Sequence, residues 1–493
     1  MTVILAIDAG TTSVRTIAFD ESARPLAAAR RELTQYFPRP GWVEHDAAEI
    51  YRAVEATMAE VCSGLSEAPA AIGVTNQRET VIRWAKSGSA PLEPAIVWQD
   101  RRTAARCAEL EALGLLPLVR ERTGLVLDPY FSASKLEWLF RHSDAAGPDV
   151  AVGTVDSWII WNLTGGAVHA TDATNAARTM LFDIGALAWS AELCELFSVP
   201  AAALPEVRPS SGSFGVTAPS APCGPGVPIC GVAGDQQAAL FGQAAFEPGD
   251  AKNTYGTGSF VLMNVGRTLP EPGEGILTTL AWLLEGPGGP EATYALEGAI
   301  FATGATVQWL RDGLGIIGAA SELEALAGQC DSTGGVYLVP AFTGLGSPHW
   351  DPNARGAIVG LTRGTGRPEI ARAAVEAMVY QTRDVVCAMT AAAGTPLVSL
   401  RVDGGASAME SMLQLQADHL GVPVRRPKVQ EASALGAACL AGLAAGVWSS
   451  TEEIAQHTQA DLALEPAADR AAADAAYAGW SRAVERSRNW AGA

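Results

Sequence analysis

The chain has 493 residues and a formal net charge of −19. That length suits two or three domains, and that field excludes electrostatic attraction to nucleic acid or to an anionic membrane. Hydrophobic residues at 48 % and charged residues at 18 % exclude compositional disorder and allow large cores.

In chain order, the first thirty residues predict a β-meander. Val3–Ile7 is an apolar run, Ala9-Gly10-Thr11-Thr12-Ser13 turns, Val14–Phe19 is a second run, and Asp20–Arg24 turns into Leu26–Leu33. The opening residues Met1-Thr2-Val3-Ile4-Leu5-Ala6-Ile7-Asp8 carry no basic leader. Ala71–Thr75 and Val150–Val155 predict strands, and Ser157–Leu163 a short helix with a Ser start signal. Pro205–Pro228 reads as loop. The meander pattern then returns: Ala251–Tyr255, the loop Gly256-Thr257-Gly258-Ser259, and Phe260–Val265. This weak repeat at half the chain length predicts two related domains, 1–245 and 246–493, with a boundary near Gly242–Asp250. Pro368 opens a helix in which Val375, Met378, Thr382, Val385 and Met389 recur at helical spacing, with one polar interruption. Leu397–Asp403 is a strand ending in Gly404-Gly405, and a helix follows over Met409–Leu420. The apolar stretch Ser433–Trp448 is shorter than the roughly 20 residues that span a bilayer. An Ala-rich helix is expected from Asp461. Strands alternating with helices give an α/β class. The eight cysteines form no Cys-x-x-Cys pair, and small apolar neighbours around Cys387 and Cys439 predict reduced core thiols. The expected location is the cytoplasm.

Several segments carry chemistry. In Asp8-Ala9-Gly10-Thr11-Thr12-Ser13-Val14-Arg15, an acid ends a buried strand and a Gly/Thr/Ser turn follows. Such a turn can cradle phosphates with backbone N–H groups, and the acid can hold Mg²⁺ through water; it can equally be a hairpin that satisfies only itself. The loop at Gly256-Thr257 is its counterpart, and two such loops could grip one polyphosphate from both sides. Gly404-Gly405 either lets a base approach the backbone or makes a tight turn. Arg78-Glu79 follows the strand Ala71–Thr75. An adjacent opposite pair is ordinarily a solvated surface feature, but at a strand's carboxyl end it suits a polyol, whose hydroxyls both give and accept hydrogen bonds. Asp235, in Gly234-Asp235-Gln236-Gln237, is either a helix N-cap or a general base for an alcohol. Trp98 and Tyr130 read as core aromatics on composition. None of the six histidines clusters at metal spacing.

These residues carry a resemblance. Asp8-Ala9-Gly10-Thr11-Thr12, Pro40-Gly41-Trp42-Val43-Glu44-His45-Asp46, Asn76-Gln77-Arg78-Glu79-Thr80, Gly234-Asp235-Gln236-Gln237, Asn253-Thr254-Tyr255-Gly256-Thr257-Gly258 and Arg401-Val402-Asp403-Gly404-Gly405 resemble the glycerol-phosphorylating members of the FGGY carbohydrate kinase family, within the actin-like ATPase superfamily. The resemblance implies two RNase H-like domains with the active site in the cleft between them. The first would carry the polyol and phosphate side and the second the nucleotide side. It implies ATP and glycerol as substrates, Mg²⁺ as cofactor, and a homodimer or homotetramer. It implies Asp235 as general base and polyol ligand, with Arg78, Glu79 and Tyr130 as further hydroxyl ligands. Trp98 and Phe260 would be apolar walls and Gln236 a nearby polar contact. Asp8, with Asp235, would lie near the metal. Thr11, Thr12, Ser13, Arg15, Gly256 and Thr257 would hold phosphates, and Gly304, Gln308, Gly405 and Met409 the adenosine side. Met409-Glu410 stand where the family pattern places Asn near adenine. Ala218–Gly226 lacks the Gly/Arg pattern linked in some bacterial members to inhibition by fructose 1,6-bisphosphate, and Arg208–Val216 holds no His for phosphohistidine activation. A kinase for another polyol or ketose, and a catalytically silent protein of the same fold, are the alternatives.

Overall fold

The chain alternates strands and helices around two sheets that repeat one topology. A computed structural model describes residues 2–143, 147–467 and 469–492. Met1 and Ala493, the outer ends of the two expected domains, and Ala468, in the expected C-terminal helix, lie outside the described residues.

The first sheet runs Ile229–Gly234, Ala71–Asn76, Val3–Ala9, Ser13–Asp20, Pro25–Glu32. Val3–Ala9 pairs antiparallel with Ser13–Asp20 and parallel with Ala71–Asn76, which is itself parallel to Ile229–Gly234. The second sheet repeats this plan. Asp250–Tyr255 pairs antiparallel with Ser259–Gly266 and parallel with Ser399–Gly404, which is parallel to Val424–Pro427. Gly289–Ile300 takes the third place of the meander, and Leu277–Gly286 and Ala460–Leu464 extend the two edges. The weak sequence repeat is therefore a repeat of strand order and direction.

The long helix Arg367–Ala393 buries Val375, Met378, Val385 and Met389 in the second core. The polar interruption Thr382 is buried as well; its hydroxyl donates to Met378 O at 2.9 Å and receives Asn253 Nδ2 at 3.1 Å. Pro368 is the second helical residue, behind Arg367, and the Glu369 carboxylate receives the Gly366 N–H at 2.8 Å.

Four expectations are corrected. The strand at Val150 ends at Gly153, and the next helix starts at Val155 behind Thr154, so Ser157 lies inside the helix and does not start it. The segment Pro205–Pro228 contains the strand Glu206–Arg208, paired parallel with Ala170–Asp172. Asp461 lies in the edge strand Ala460–Leu464, and the terminal helix is Arg470–Ser487. Cys387 is exposed, because helical geometry turns it away from the face that buries Val385 and Met389; Cys439 is buried as expected, and its burial pushes the thiol up to about 12. Helix Ala432–Ala444, from the second half of the chain, packs its Ala434, Leu435, Ala437, Ala438 and Ala441 into a core with Ile4, Ala6, Ile17, Phe19 and Leu240 of the first half. Sequence halves and packing units thus do not coincide there. No helix among the described residues is long and apolar enough to cross a membrane.

Candidate active site

The site lies where strands run out. Three parallel strands of the first sheet end side by side, with Asp8 opposite Thr75 and Asn76 opposite Gly234. Their carboxyl ends therefore bring Asp8, the Gln77-Arg78-Glu79 turn and Asp235 to one edge, where α/β sheets bind ligands. In the second sheet Tyr255 pairs with Gly404, so the Gly256-Thr257 loop and the Gly404-Gly405 turn also share one edge. Gly404 sits at φ +84°, and a Cβ there would collide with the Tyr255 backbone; only glycine fits. A Cβ on Gly405 would meet nothing within 4 Å.

Arg78 and Glu79 are not a solvated pair: they are 3 % and 1 % exposed. Arg78 Nη1 and Nη2 donate to the two carboxylate oxygens of Glu297 at 2.6 and 3.0 Å, and Nη1 also donates to Gln237 Oε1 at 3.1 Å. Arg78 Nε lies 3.2 Å from Asp235 Oδ1. Glu79 stands at φ +63°, a strained conformation for a residue with a Cβ. Its Oε1 receives Arg178 Nε at 2.7 Å, and its carbonyl receives Ser132 Oγ at 3.1 Å. Burial alone would raise the Glu297 carboxyl; the Arg178 and Arg78 charges overcome that and hold it at about 2.

Asp235 is the first residue of helix Asp235–Gly242, and Gly234 takes the cap position. The N-cap alternative therefore falls; Oδ1 of Asp235 receives only the neighbouring Gln236 N–H, at 2.7 Å, from the helix backbone. Burial raises its carboxyl above the ordinary range, against the lowering charges of Arg78 and Lys252. Gln236 is held by the buried ammonium of Lys252, which also donates to Thr254 Oγ1 at 2.9 Å. Burial drops that ammonium to about 8, opposed by the Asp403 and Asp235 charges.

Trp98 and Tyr130 are half-buried, and Tyr130 packs on a core that holds Val81, Leu127 and Phe131. Trp98 packs edge-on against Tyr130 at 5.5 Å and against Phe260, from the second sheet, at 6.5 Å. An aromatic wall thus crosses from one half of the chain to the other.

On the phosphate side, Asp8 and Arg15 sit opposite each other across the first hairpin. Burial raises the Asp8 carboxyl to about 7, with Arg15 lowering it and Asp235 and Glu431 raising it further. The Arg15 guanidinium is paired with Glu431. Thr12, Gly256 and Thr257 are exposed and Thr11 half-buried, its hydroxyl receiving Trp98 Nε1 at 2.9 Å. The Gly10 and Gly256 N–H groups close their own turns, onto Ser13 O at 3.0 Å and Gly258 O at 2.8 Å. The expected cradle is thereby narrowed, because these two amides are already used and Ser13 is buried in the strand Ser13–Asp20. Gly304 donates to Gly256 O at 3.0 Å and starts a short helix that exposes Gln308. Met409 precedes helix Glu410–Leu420 and packs on the second core. Among the described residues no three or more His, Cys, Asp or Glu are grouped to hold a metal ion.

Sequence reading missed Glu297, Arg178 and Lys252. For Glu297 the available signal was a lone charge inside an apolar strand, Tyr294-Ala295-Leu296-Glu297-Gly298-Ala299-Ile300. Such a charge is tolerated only when buried partners meet it.

Residues 3–242 match the model of the FGGY family of carbohydrate kinases, N-terminal domain, and residues 251–445 that of its C-terminal domain. The chain is 52 % identical to a glycerol kinase of Halorhodospira halophila, over 99 % of this chain and 97 % of that one. It is 50 % identical to a glycerol kinase of Carboxydothermus hydrogenoformans, over 99 % and 98 %. The crystal structure of Plasmodium falciparum glycerol kinase with ADP superposes with a TM-score of 0.94 at 34 % identity, covering 99 % of this chain and 98 % of that one.

Proposed function

The chain belongs to the FGGY family of carbohydrate kinases, and from that membership we propose that it transfers the terminal phosphoryl group of ATP to glycerol, giving ADP and sn-glycerol 3-phosphate. The relatives of about 50 % identity over nearly the whole chain carry that name. The observation that carries the reading is the meeting of Asp235, Arg78 and the Trp98–Tyr130–Phe260 wall at one edge.

The residues then divide the work. Asp235 accepts the proton of the attacking hydroxyl, and its raised pKa makes it a better acceptor than an ordinary carboxylate. Arg78, Glu79 and Tyr130 bind the remaining hydroxyls, each of which gives and accepts. Trp98 and Phe260 cover the carbon chain and exclude water, which protects ATP from hydrolysis. Thr11, Thr12, Arg15, Gly256 and Thr257 face the phosphates, and Gly304, Gln308, Gly405 and Met409 the adenosine. The donor chemistry of Asp8 suits Mg²⁺, a hard cation that takes carboxylate oxygen and keeps much of its shell from water and phosphate. The absence of a three-ligand cluster among the described residues fits a metal that arrives with its nucleotide. When bound, the ion neutralises phosphate charge. In this reading 1–245 supplies the polyol and phosphate side and 246–493 the nucleotide side.

Coupled ADP release across glycerol, xylulose, ribulose and gluconate tests the assignment. Turnover is expected to be highest on glycerol; preference for a ketose would replace the substrate, and no turnover on any would end the enzyme reading. Asp235→Asn is expected to lower kcat by about a hundredfold or more while glycerol still binds.

A further inference from the structure

We propose that Glu297 and Arg178 are positioning residues for the polyol site: together they fix the pose of Arg78 and Glu79 across the two halves of the chain. This rests on the glycerol reading above.

The geometry is a buried alternation of charge. Glu297, in the middle of the second-half strand Gly289–Ile300, is 0 % exposed and takes both terminal nitrogens of Arg78 and Nη2 of Arg178, the last at 2.9 Å. Arg178, also buried, spans from Glu297 to Glu79. It lies over the rings of Tyr130 and Phe131, at 5.7 and 5.2 Å. Four charges thus form a chain, Arg78–Glu297–Arg178–Glu79, whose two ends are the pair assigned to the polyol.

Donor accounting shows what the chain does. A guanidinium has five N–H donors. Glu297 and Gln237 take three from Arg78, leaving Nε–H, 3.2 Å from Asp235, and one N–H on Nη2 for a ligand. Glu297 therefore decides which edge of Arg78 a hydroxyl meets. Arg178 does the same for Glu79, whose strained backbone at φ +63° is retained only while its surroundings hold it. Without the Glu297 charge, the terminal nitrogens of Arg78 and Nη2 of Arg178 would lose their shared carboxylate, only Glu79 and Asp235 would face the two guanidiniums from their Nε edges, and the repulsion between the two would displace Arg78. Neither Glu297 nor Arg178 need touch the substrate for this effect.

The test separates positioning from a merely structural role. Glycerol KM, ATP KM and kcat are measured for Glu297→Gln and Arg178→Lys, with glycerol Kd by calorimetry and thermal melts to verify folding. The expected result is a glycerol KM and Kd raised about tenfold or more, with ATP KM within about twofold. A structural role alone would lower the active fraction and leave glycerol KM unmoved. Arg178→Lys keeps a cation in the cluster and decides the matter if Glu297→Gln does not fold. Wild-type glycerol Kd in a folded variant overturns the inference and leaves the glycerol reading standing. No glycerol binding by the wild type overturns both.

Discussion

Asp8 and Asp235, with Arg78 between them in the chain, come together because the three parallel strands that precede them end side by side, Asp8 opposite Thr75 and Asn76 opposite Gly234. Asp8, Arg78 and Asp235 stood out because each follows an apolar run, Asp8 directly after Ile7, Arg78 after Asn76-Gln77 and Asp235 after Gly234, and a strand's carboxyl end is where ligands meet a sheet. Glu297 and Arg178 were hidden because their partners lie 219 and 119 residues away along the chain from Glu297, a separation no local pattern encodes. Asp156, a buried acid away from the proposed catalytic groups, has its hydroxyl partners close by in the chain. It receives Thr154 Oγ1 at 2.5 Å and Thr171 Oγ1 at 2.6 Å. Burial, and then the charge of Asp172, raises its carboxyl from 3.8 to about 7. Between those values the folded chain holds a proton at this site that the unfolded chain has released. The contribution of Asp156 to stability is thus fully present at low pH and falls as pH rises from about 4 to about 7. Asp156→Asn is expected to remove up to about 1.4 kcal/mol per pH unit of that downward slope. Denaturant midpoints followed across the window measure it, and an unchanged slope would refute the assignment.

Among the elements, helix Ala432–Ala444 shows what pattern reading can and cannot give. It is apolar on every side, which marks a helix buried all round; its composition says nothing of which sheet it meets. It meets the first one. A Cβ on Gly73 would run into the Ala437 carbonyl, and a Cβ on Gly436 into the Ala238 carbonyl of the helix that begins at Asp235. Glycine there lets two helices approach to backbone contact. Gly436→Ala is expected to destabilise by about 1–3 kcal/mol, as overpacking does. Because the displaced neighbour carries Asp235, kcat should fall as well. Urea midpoints and kcat on the same preparation check both, and a variant as stable as wild type would show that the helices can separate at no cost. By contrast, the start of helix Arg367–Ala393 was legible to within one residue and its buried face to Met389, since its repeat and its proline lie within one continuous stretch. The edge strand Ala460–Leu464 was not. It alternates only weakly, with Leu462 and Leu464 partly buried, and its pairing with Val424–Pro427 comes from tertiary context.

At the scale of the molecule, the two sheets are one plan used twice, and the proposed phosphate loops sit at equivalent hairpins. The Arg78–Glu297–Arg178 cluster ties the halves near the polyol residues, and Arg15–Glu431 ties them at the first phosphate loop. On the proposed assignment an incoming phosphate would compete with Glu431 for Arg15, whereas the buried cluster is costly to open. Closure is therefore expected to pivot about Glu297. Small-angle scattering should show a smaller radius of gyration with glycerol and a non-hydrolysed nucleotide, and identical curves would count against closure. The crossing helix has one more consequence, which concerns the order of synthesis. The first sheet is complete as peptide once Gly234 is made, but one face of it stays uncovered until residues 432–444 have been added. A nascent first half therefore leaves the ribosome with an apolar sheet face still open to solvent. For about two hundred further residues of translation, that face depends on chaperones or on speed to escape aggregation.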